Sequence, residues 1–142
     1  MRLWHPDLLS VLPRQQLLGQ NRECACMEAE LLKNGKVNHI LINFVTKDNA
    51  RELIRYHKIV LDIMEMRGYI VSSATHERID KLSAVVPYYV VYSVYPEKFN
   101  ERYLMQCYYN LQEKHDCGGI TDEEWNRILD KTYSLLYKGD WK

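Results

Sequence analysis

The feature of this sequence that most constrains its fold is an apolar stripe at helical spacing that begins at residue 50. The stripe recurs at i, i+3, i+4 and i+7, the period of one helix face, and consists of Ala50, Leu53, Ile54, His57, Val60, Leu61 and Met64. Asp48 or Asn49 can cap the start of this helix, and Arg67-Gly68 is a typical end. A helix with one apolar face has to bury that face, so the pattern predicts a core of packed helices.

Three further helices are predicted from their boundaries. The first follows Pro13, runs from Arg14 to Lys33 without a proline and ends at Asn34-Gly35. The second is terminated by the sequence HDCGG at residues 115–119, and its apolar face consists of Phe99, Tyr103, Leu104, Cys107, Tyr108 and Leu111. The last opens with a capping box between Thr121 and Glu124, and its apolar residues are Trp125, Ile128, Leu129, Leu135 and Leu136.

Two apolar stretches leave alternatives open. HILINFV at residues 39–45 suits a short strand or a buried turn of helix, and PYYVVYSVYP at residues 87–96 suits a strand or a buried helix. Whichever alternative holds for these two stretches, most of the predicted secondary structure is helical. We therefore predict a mainly α, compact fold in which residues 1–142 form a single domain.

The charges balance overall but are uneven near the start of the chain. Nineteen basic and nineteen acidic side chains cancel, so net charge does not indicate nucleic acid, a membrane surface or an acidic partner. Residues 1–22, however, contain three basic side chains, Arg2, Arg14 and Arg22, and only one acidic side chain, Asp7. The α-amino group of Met1 adds a further positive charge to this segment. An anion is expected to bind there.

Neither a secretion signal nor a membrane span is evident. Prolines and charges interrupt the first 14 residues, and the longest mostly apolar run, residues 84–95, is shorter than the roughly 20 residues that a spanning helix needs. We expect a soluble, cytoplasmic protein without a membrane partner. In that setting the four cysteines are better interpreted as reduced thiols than as a disulfide framework.

Two short cysteine motifs permit an alternative as a metal-binding helical protein. Cys24 and Cys26 form a C-x-C, and His115 and Cys117 form an H-x-C. Zinc sites usually have wider spacings such as C-x2-C. Buried thiols are therefore the expected state, and the metal site stays an alternative.

The first helix separates an apolar face from a polar one. At about 100° per residue, the core face consists of Leu17, Leu18, Cys24, Ala25, Met27, Leu31 and Leu32, and the opposite arc consists of Gln15, Gln16, Gly19, Arg22, Glu23 and Cys26. Helical side chains lean toward the N-terminus, so Arg22 and Glu23 are expected to reach across Gly19. This predicts a hollow with a guanidinium and a carboxylate at its edge, although a solvated helix face has the same composition.

The start of the chain resembles the pyrimidine dimer DNA glycosylase family, the endonuclease V group of base-excision repair enzymes. The resemblance lies in MRLWHPDLL and RQQLLGQNRE, which supply Gln15, Leu17, Gly19, Arg22 and Glu23 in the family's register. YHKIVLDIMEMRGYIV at residues 56–71 is also similar, and the C-terminal YKGDWK is a fainter match. The likeness is strongest over the first quarter of the chain.

The resemblance implies a helical fold and a chemistry that needs no cofactor. In the family the N-terminal α-amine attacks the sugar carbon that bears the damaged base and forms an imine, which implies Met1 as nucleophile and Glu23 as acid/base. Damaged double-stranded DNA is the implied partner, and the residues implied to contact it are Arg2, Arg14, Gln15, Arg22, Lys138 and Trp141. An α-amine suits this role because its ordinary pKa of about 7.7 to 8.0 leaves a neutral fraction near pH 7. A non-catalytic nucleic-acid-binding module of the same fold is the alternative.

Aromatic and histidine side chains near the start have two interpretations each. Trp4 can stack on a displaced base or pack the chain end onto the core. His5 can carry a second proton or lie in a turn. His39 and His57 are expected to be hydrogen-bonded core histidines.

Overall fold

The computed structural model describes residues 1–137 and is mainly helical. A 3-10 helix, Pro6–Val11, precedes five α-helices, which are α1 (Arg14–Asn34), α2 (Ala50–Met66), α3 (Ser73–Val85), α4 (Glu101–Asp116) and α5 (Asp122–Tyr137). Helix α1 packs against α2 and α3, α4 packs against α5, and the 3-10 helix lies against α5 and α2. Within residues 1–137, no helix combines the length and the apolar character needed to cross a membrane.

Helix α1 confirms its predicted boundaries. Gly35 ends it in the left-handed conformation, with φ 74°, and the Gly35 amide donates to the Leu31 carbonyl. Of the predicted core face, Leu17, Cys24, Met27 and Leu31 are buried. Leu32 was expected in the core but is 39% exposed. Instead, two polar residues of α1, Gln20 and Glu28, are buried.

The apolar stripe of α2 is buried along its whole length, which confirms the helix. The start of the helix differs from the expectation in how the N-cap side chain is used. Asn49 occupies the N-cap position but its side chain makes no capping bond. Its Oδ1 accepts a hydrogen bond from the Thr46 amide at 2.8 Å instead, which stabilises the preceding turn.

Residues 39–45 form turns, so neither alternative predicted for them is correct. The Ile42 amide donates to the His39 carbonyl and the Val45 amide to the Ile42 carbonyl. Ile42 and Val45 are buried in the core and Phe44 packs partly buried against it, whereas Ile40 is 83% exposed. An apolar run in which every third residue is buried is not a strand.

Residues 87–96 likewise contain neither the strand nor the helix that their composition suggests. Side chains of α2 bind the backbone of this loop. The Arg51 guanidinium donates to the carbonyls of Val86 and Pro87, and Glu52 accepts from the Tyr95 amide at 2.7 Å. Because side chains satisfy these polar groups, the loop needs no regular ladder.

Helix α3 is not indicated by the sequence pattern, whereas α4 and α5 are. Helix α3 has only a short buried stripe, Thr75, Ile79 and Leu82, although Ser72 caps it through the Thr75 amide. The capping box of α5 is confirmed, since Thr121 Oγ1 accepts from the Glu124 amide and Glu124 Oε1 accepts from the Thr121 amide, both at 3.1 Å.

A buried polar network joins α1 to α2. His57 is fully buried, with Nδ1 2.7 Å from Glu28 Oε2 and Nε2 2.8 Å from Asn21 Oδ1. The other carboxylate oxygen of Glu28, Oε1, has no hydrogen-bond partner among residues 1–137. The prediction of a hydrogen-bonded core histidine at His57 is confirmed, whereas His39 is only half-buried.

Candidate active site

The first residues of the chain lie along α1 and are bound there through their backbone. The Arg2 amide donates to Glu23 Oε2 at 3.2 Å. Gln20 Nε2 donates to the Arg2 carbonyl at 2.9 Å, and Gln20 Oε1 accepts from the Trp4 amide at 2.7 Å. The beginning of the polypeptide therefore lies beside the Glu23 carboxylate.

Two buried tyrosines bind the other side of this N-terminal segment, residues 2–4. The Tyr103 hydroxyl donates to the Leu3 carbonyl at 2.6 Å, and the Tyr56 hydroxyl lies 2.6 Å from the Trp4 carbonyl and 2.8 Å from Gln20 Oε1. Burial raises the pKa of both hydroxyls well above their usual range. Both tyrosines therefore stay protonated and act as donors near neutral pH.

Gln20 is central to this arrangement although nothing in the family register marks it. It is 1% exposed, and both ends of its amide are hydrogen-bonded to the N-terminal segment. The signal in the sequence is its position, three residues after Leu17 and four before Cys24, in the core register of α1. A polar side chain in such a register has to find buried partners.

We expect Tyr56→Phe to lower the free energy of unfolding by about 1 to 3 kcal/mol, because it removes a hydroxyl donor from the buried Trp4 carbonyl. Denaturation in urea measures this change. The matched control is Tyr92→Phe, since Tyr92 is 94% exposed and should be neutral. Equal effects of the two substitutions would show that the Tyr56 bond does not hold the segment.

A surface cavity of about 410 Å³ lies where the hollow over Gly19 is predicted. Its lining includes Trp4, Gln15, Gly19, Arg22, Glu23 and Lys114. A Cβ built on Gly19 would meet Arg22 Nη2 at 3.7 Å. The prediction that Arg22 leans across the glycine is thus confirmed, and a larger side chain at position 19 would fill the space. The same prediction for Glu23 is not confirmed, since no side-chain atom of Glu23 lies within 4 Å of that Cβ position and its Oε2 accepts from the Arg2 amide instead.

The cavity combines two cationic side chains with one carboxylate. Arg22 and Lys114 are exposed and Glu23 is half-buried. Lys114 comes from the last turn of α4, and its distance in sequence from α1 explains why no local pattern indicates it. Arg2 lies close by, with its guanidinium 5.2 Å from the centre of the Trp4 ring. This is a setting that suits an anionic ligand beside an acid/base group.

The α-amine of Met1 is one peptide unit away from the amide that Glu23 binds. Met1 is 39% exposed. Within the described residues no carboxylate lies within 4.0 Å of this amine, so it is not held in an ion pair. The chain start is thus bound to Glu23 through the neighbouring Arg2 amide, and Met1 as a residue is partly exposed to solvent.

Other predicted site residues lie apart from this cavity or outside the described chain. The Arg14 guanidinium lies over the Tyr69 ring at 5.6 Å and does not line the cavity, although its neighbour Gln15 does. Lys138 and Trp141, which the resemblance implicates in DNA binding, lie outside the described residues.

Trp4 and His5 are both packed into the structure. Trp4 is 6% exposed, which confirms the packing interpretation over a free stacking platform. His5 Nε2 lies 3.1 Å from the Phe99 carbonyl and Nδ1 accepts from the Asp7 amide at 3.2 Å. Burial lowers the pKa of His5 against the opposing effect of Asp7. With both ring nitrogens bound to backbone, a neutral histidine in a turn is the better interpretation.

The metal alternative finds no assembled site among residues 1–137. Cys24 is buried whereas Cys26 is exposed, and burial raises the pKa of the Cys24 thiol well above its usual range. His115 Nε2 lies 2.8 Å from Asp122 and its ring stacks on Trp125. In this part of the chain, no three histidine, cysteine or acidic side chains are grouped closely enough to hold a metal ion.

One comparison with known proteins gives a match. The family model described as pyrimidine dimer DNA glycosylase matches residues 1–77, which include the N-terminal segment, α1 and α2. No curated protein and no solved structure matches the chain.

Proposed function

Because this chain belongs to the pyrimidine dimer DNA glycosylase family, we propose that it removes damaged bases from DNA through an imine formed by the Met1 α-amine. The observation that carries the proposal is the 3.2 Å hydrogen bond from the Arg2 amide to Glu23. This bond holds the chain start beside a carboxylate at the edge of a solvent-accessible cavity. Imine chemistry requires a nucleophile and a proton carrier that can both reach the same sugar of the substrate.

The proposed reaction starts with the neutral amine. Its lone pair forms a bond to C1′ of the sugar while the bond from C1′ to the damaged base breaks, and the base leaves with that electron pair. Loss of a proton from nitrogen and opening of the C1′–O4′ bond then give a protonated imine. Glu23 can take the proton from nitrogen and deliver it to O4′, so protons and electron pairs balance without a further reactant.

The surrounding residues have two roles. Some bind the substrate through their charge, and others hold the nucleophile in position. Arg22, Arg2 and Lys114 are suited to the phosphates on either side of the reacting sugar. Gln20, Tyr56 and Tyr103 hold residues 2–4 in place, which limits the motion of the amine relative to Glu23.

Borohydride trapping tests the proposal directly. With DNA that contains an abasic site or a thymine dimer, the wild-type protein should give a covalent adduct, since hydride reduces an imine to a stable amine. Acetylation of the α-amine near neutral pH, where it reacts ahead of lysines because its ordinary pKa is lower, should abolish the adduct and leave DNA binding intact.

The other outcomes separate the alternatives. Binding of damaged DNA with no adduct from the wild type would favour the non-catalytic module. An undiminished adduct after acetylation, mapped to a lysine, would refute Met1 as the nucleophile.

A further inference from the structure

A second cationic groove lies between the C-terminal half of α1 and helix α3. It has a volume of about 440 Å³, and the residues that line it include Lys33, Arg78, Lys81, Glu77, Ala29 and Ala74. The lining thus contains three cationic side chains and one carboxylate. No carboxylate of the described residues lies within 4.0 Å of any of these three cationic groups.

The groove lies on the same side of α1 as the candidate active site. Arg22 and Lys33 are separated by 11 positions, which at about 100° per residue is roughly 20° more than three full turns. The two residues therefore share a face of the helix. At a rise of about 1.5 Å per residue, their positions are about 17 Å apart along the axis.

This separation decides which ligand fits both sites. A free phosphate or one nucleotide is too small to contact Arg22 and the groove together. The major groove of B-form DNA is about 12 Å wide between the edges of its two backbones, so the phosphates that border it are separated by more than about 12 Å, as the two cationic positions are. A duplex with one backbone at the active-site cavity can therefore place its other backbone at the α1–α3 groove. Lysine and arginine without carboxylate partners are suited to phosphates.

We infer that the α1–α3 groove binds the phosphate backbone of the complementary strand while the damaged strand occupies the active-site cavity. The inference rests on the proposed function and adds to it a second phosphate site, on the strand opposite the lesion. The net charge of the chain is zero, so few phosphate contacts are expected and each makes up a large share of the affinity.

The test is the salt dependence of binding by Arg78→Gln/Lys81→Gln to an undamaged duplex. Loss of two phosphate contacts should reduce the slope of log K against log salt by about 1.8. Raising the salt from about 50 to about 200 mM weakens the binding of both proteins. The factor by which the affinity decreases should be about ten times smaller for the double variant than for the wild type. Binding to the single strand should change much less than binding to the duplex.

The matched control is Arg127→Gln/Lys131→Gln, which removes the same charge from α5, a helix that packs against α4 and the 3-10 helix. Lys33→Gln is a second groove variant on a different helix, in case the α3 variant is poorly folded, and it should reduce the slope by about 0.9.

Each outcome is decisive for the groove. Equal slopes for the groove and control variants would overturn the inference and leave the groove to an acidic protein partner. Equal losses on single and double strands would overturn the complementary-strand assignment. Because this binding needs no chemistry, failure of borohydride trapping with an intact salt effect would refute the imine and not the groove.

Discussion

Replacing Glu23 with glutamine is expected to lower the rate of borohydride-trappable imine formation by about 10²- to 10⁴-fold, the usual contribution of a positioned acid/base. The substitution is informative because a glutamine oxygen can still accept the hydrogen bond that Glu23 Oε2 accepts from the Arg2 amide at 3.2 Å. The N-terminal segment should keep its place while the proton carrier is lost. Single-turnover trapping at saturating DNA measures the rate without a contribution from binding.

The control for this experiment is Glu30→Gln, two turns further along the same helix. It removes an equal charge, and its amide oxygen can still accept from the Asn38 amide as Glu30 does. The rate for this control should equal that of the wild type. Undiminished trapping by Glu23→Gln would contradict the role assigned to Glu23, even with the adduct on Met1.

The second large effect concerns the buried network between α1 and α2. His57→Ala is expected to lower the free energy of unfolding by about 3 to 5 kcal/mol. The substitution removes the hydrogen bond to Glu28, whose other oxygen already has no partner in the described part of the chain. A fully buried carboxylate would then be left without either bond. Urea unfolding near pH 7 measures the change.

A double substitution separates the polar network from simple loss of packing. In His57→Leu/Glu28→Leu both polar groups are gone, so most of the lost stability should return, because apolar residues of similar size often replace a buried pair at little cost. His76→Ala, at an exposed position of α3, is the surface control. The interpretation fails if His57→Ala costs less than about 1 kcal/mol or if the double variant is the least stable.

The local features of this protein could be predicted from its sequence. The end of α1 at Asn34-Gly35 and the capping box of Thr121 and Glu124 depend on bonds that close within a few residues. The approach of Arg22 to Gly19 is equally local, because it follows from the direction of side chains on one helix. These features could therefore be predicted from sequence patterns and helical periodicity alone.

Burial and long-range contacts were decided only by the tertiary structure. Gln20, Tyr56 and Tyr103 meet around residues 2–4 from three different helices, and Leu32 is exposed although its helix register indicates the core. Periodicity shows which side of a helix is apolar, but whether a position is covered depends on which element packs against it. The sequence thus determined four of the five α-helices and the approach of Arg22 to Gly19, whereas only the packing of distant helices decided which side chains hold the chain start beside Glu23.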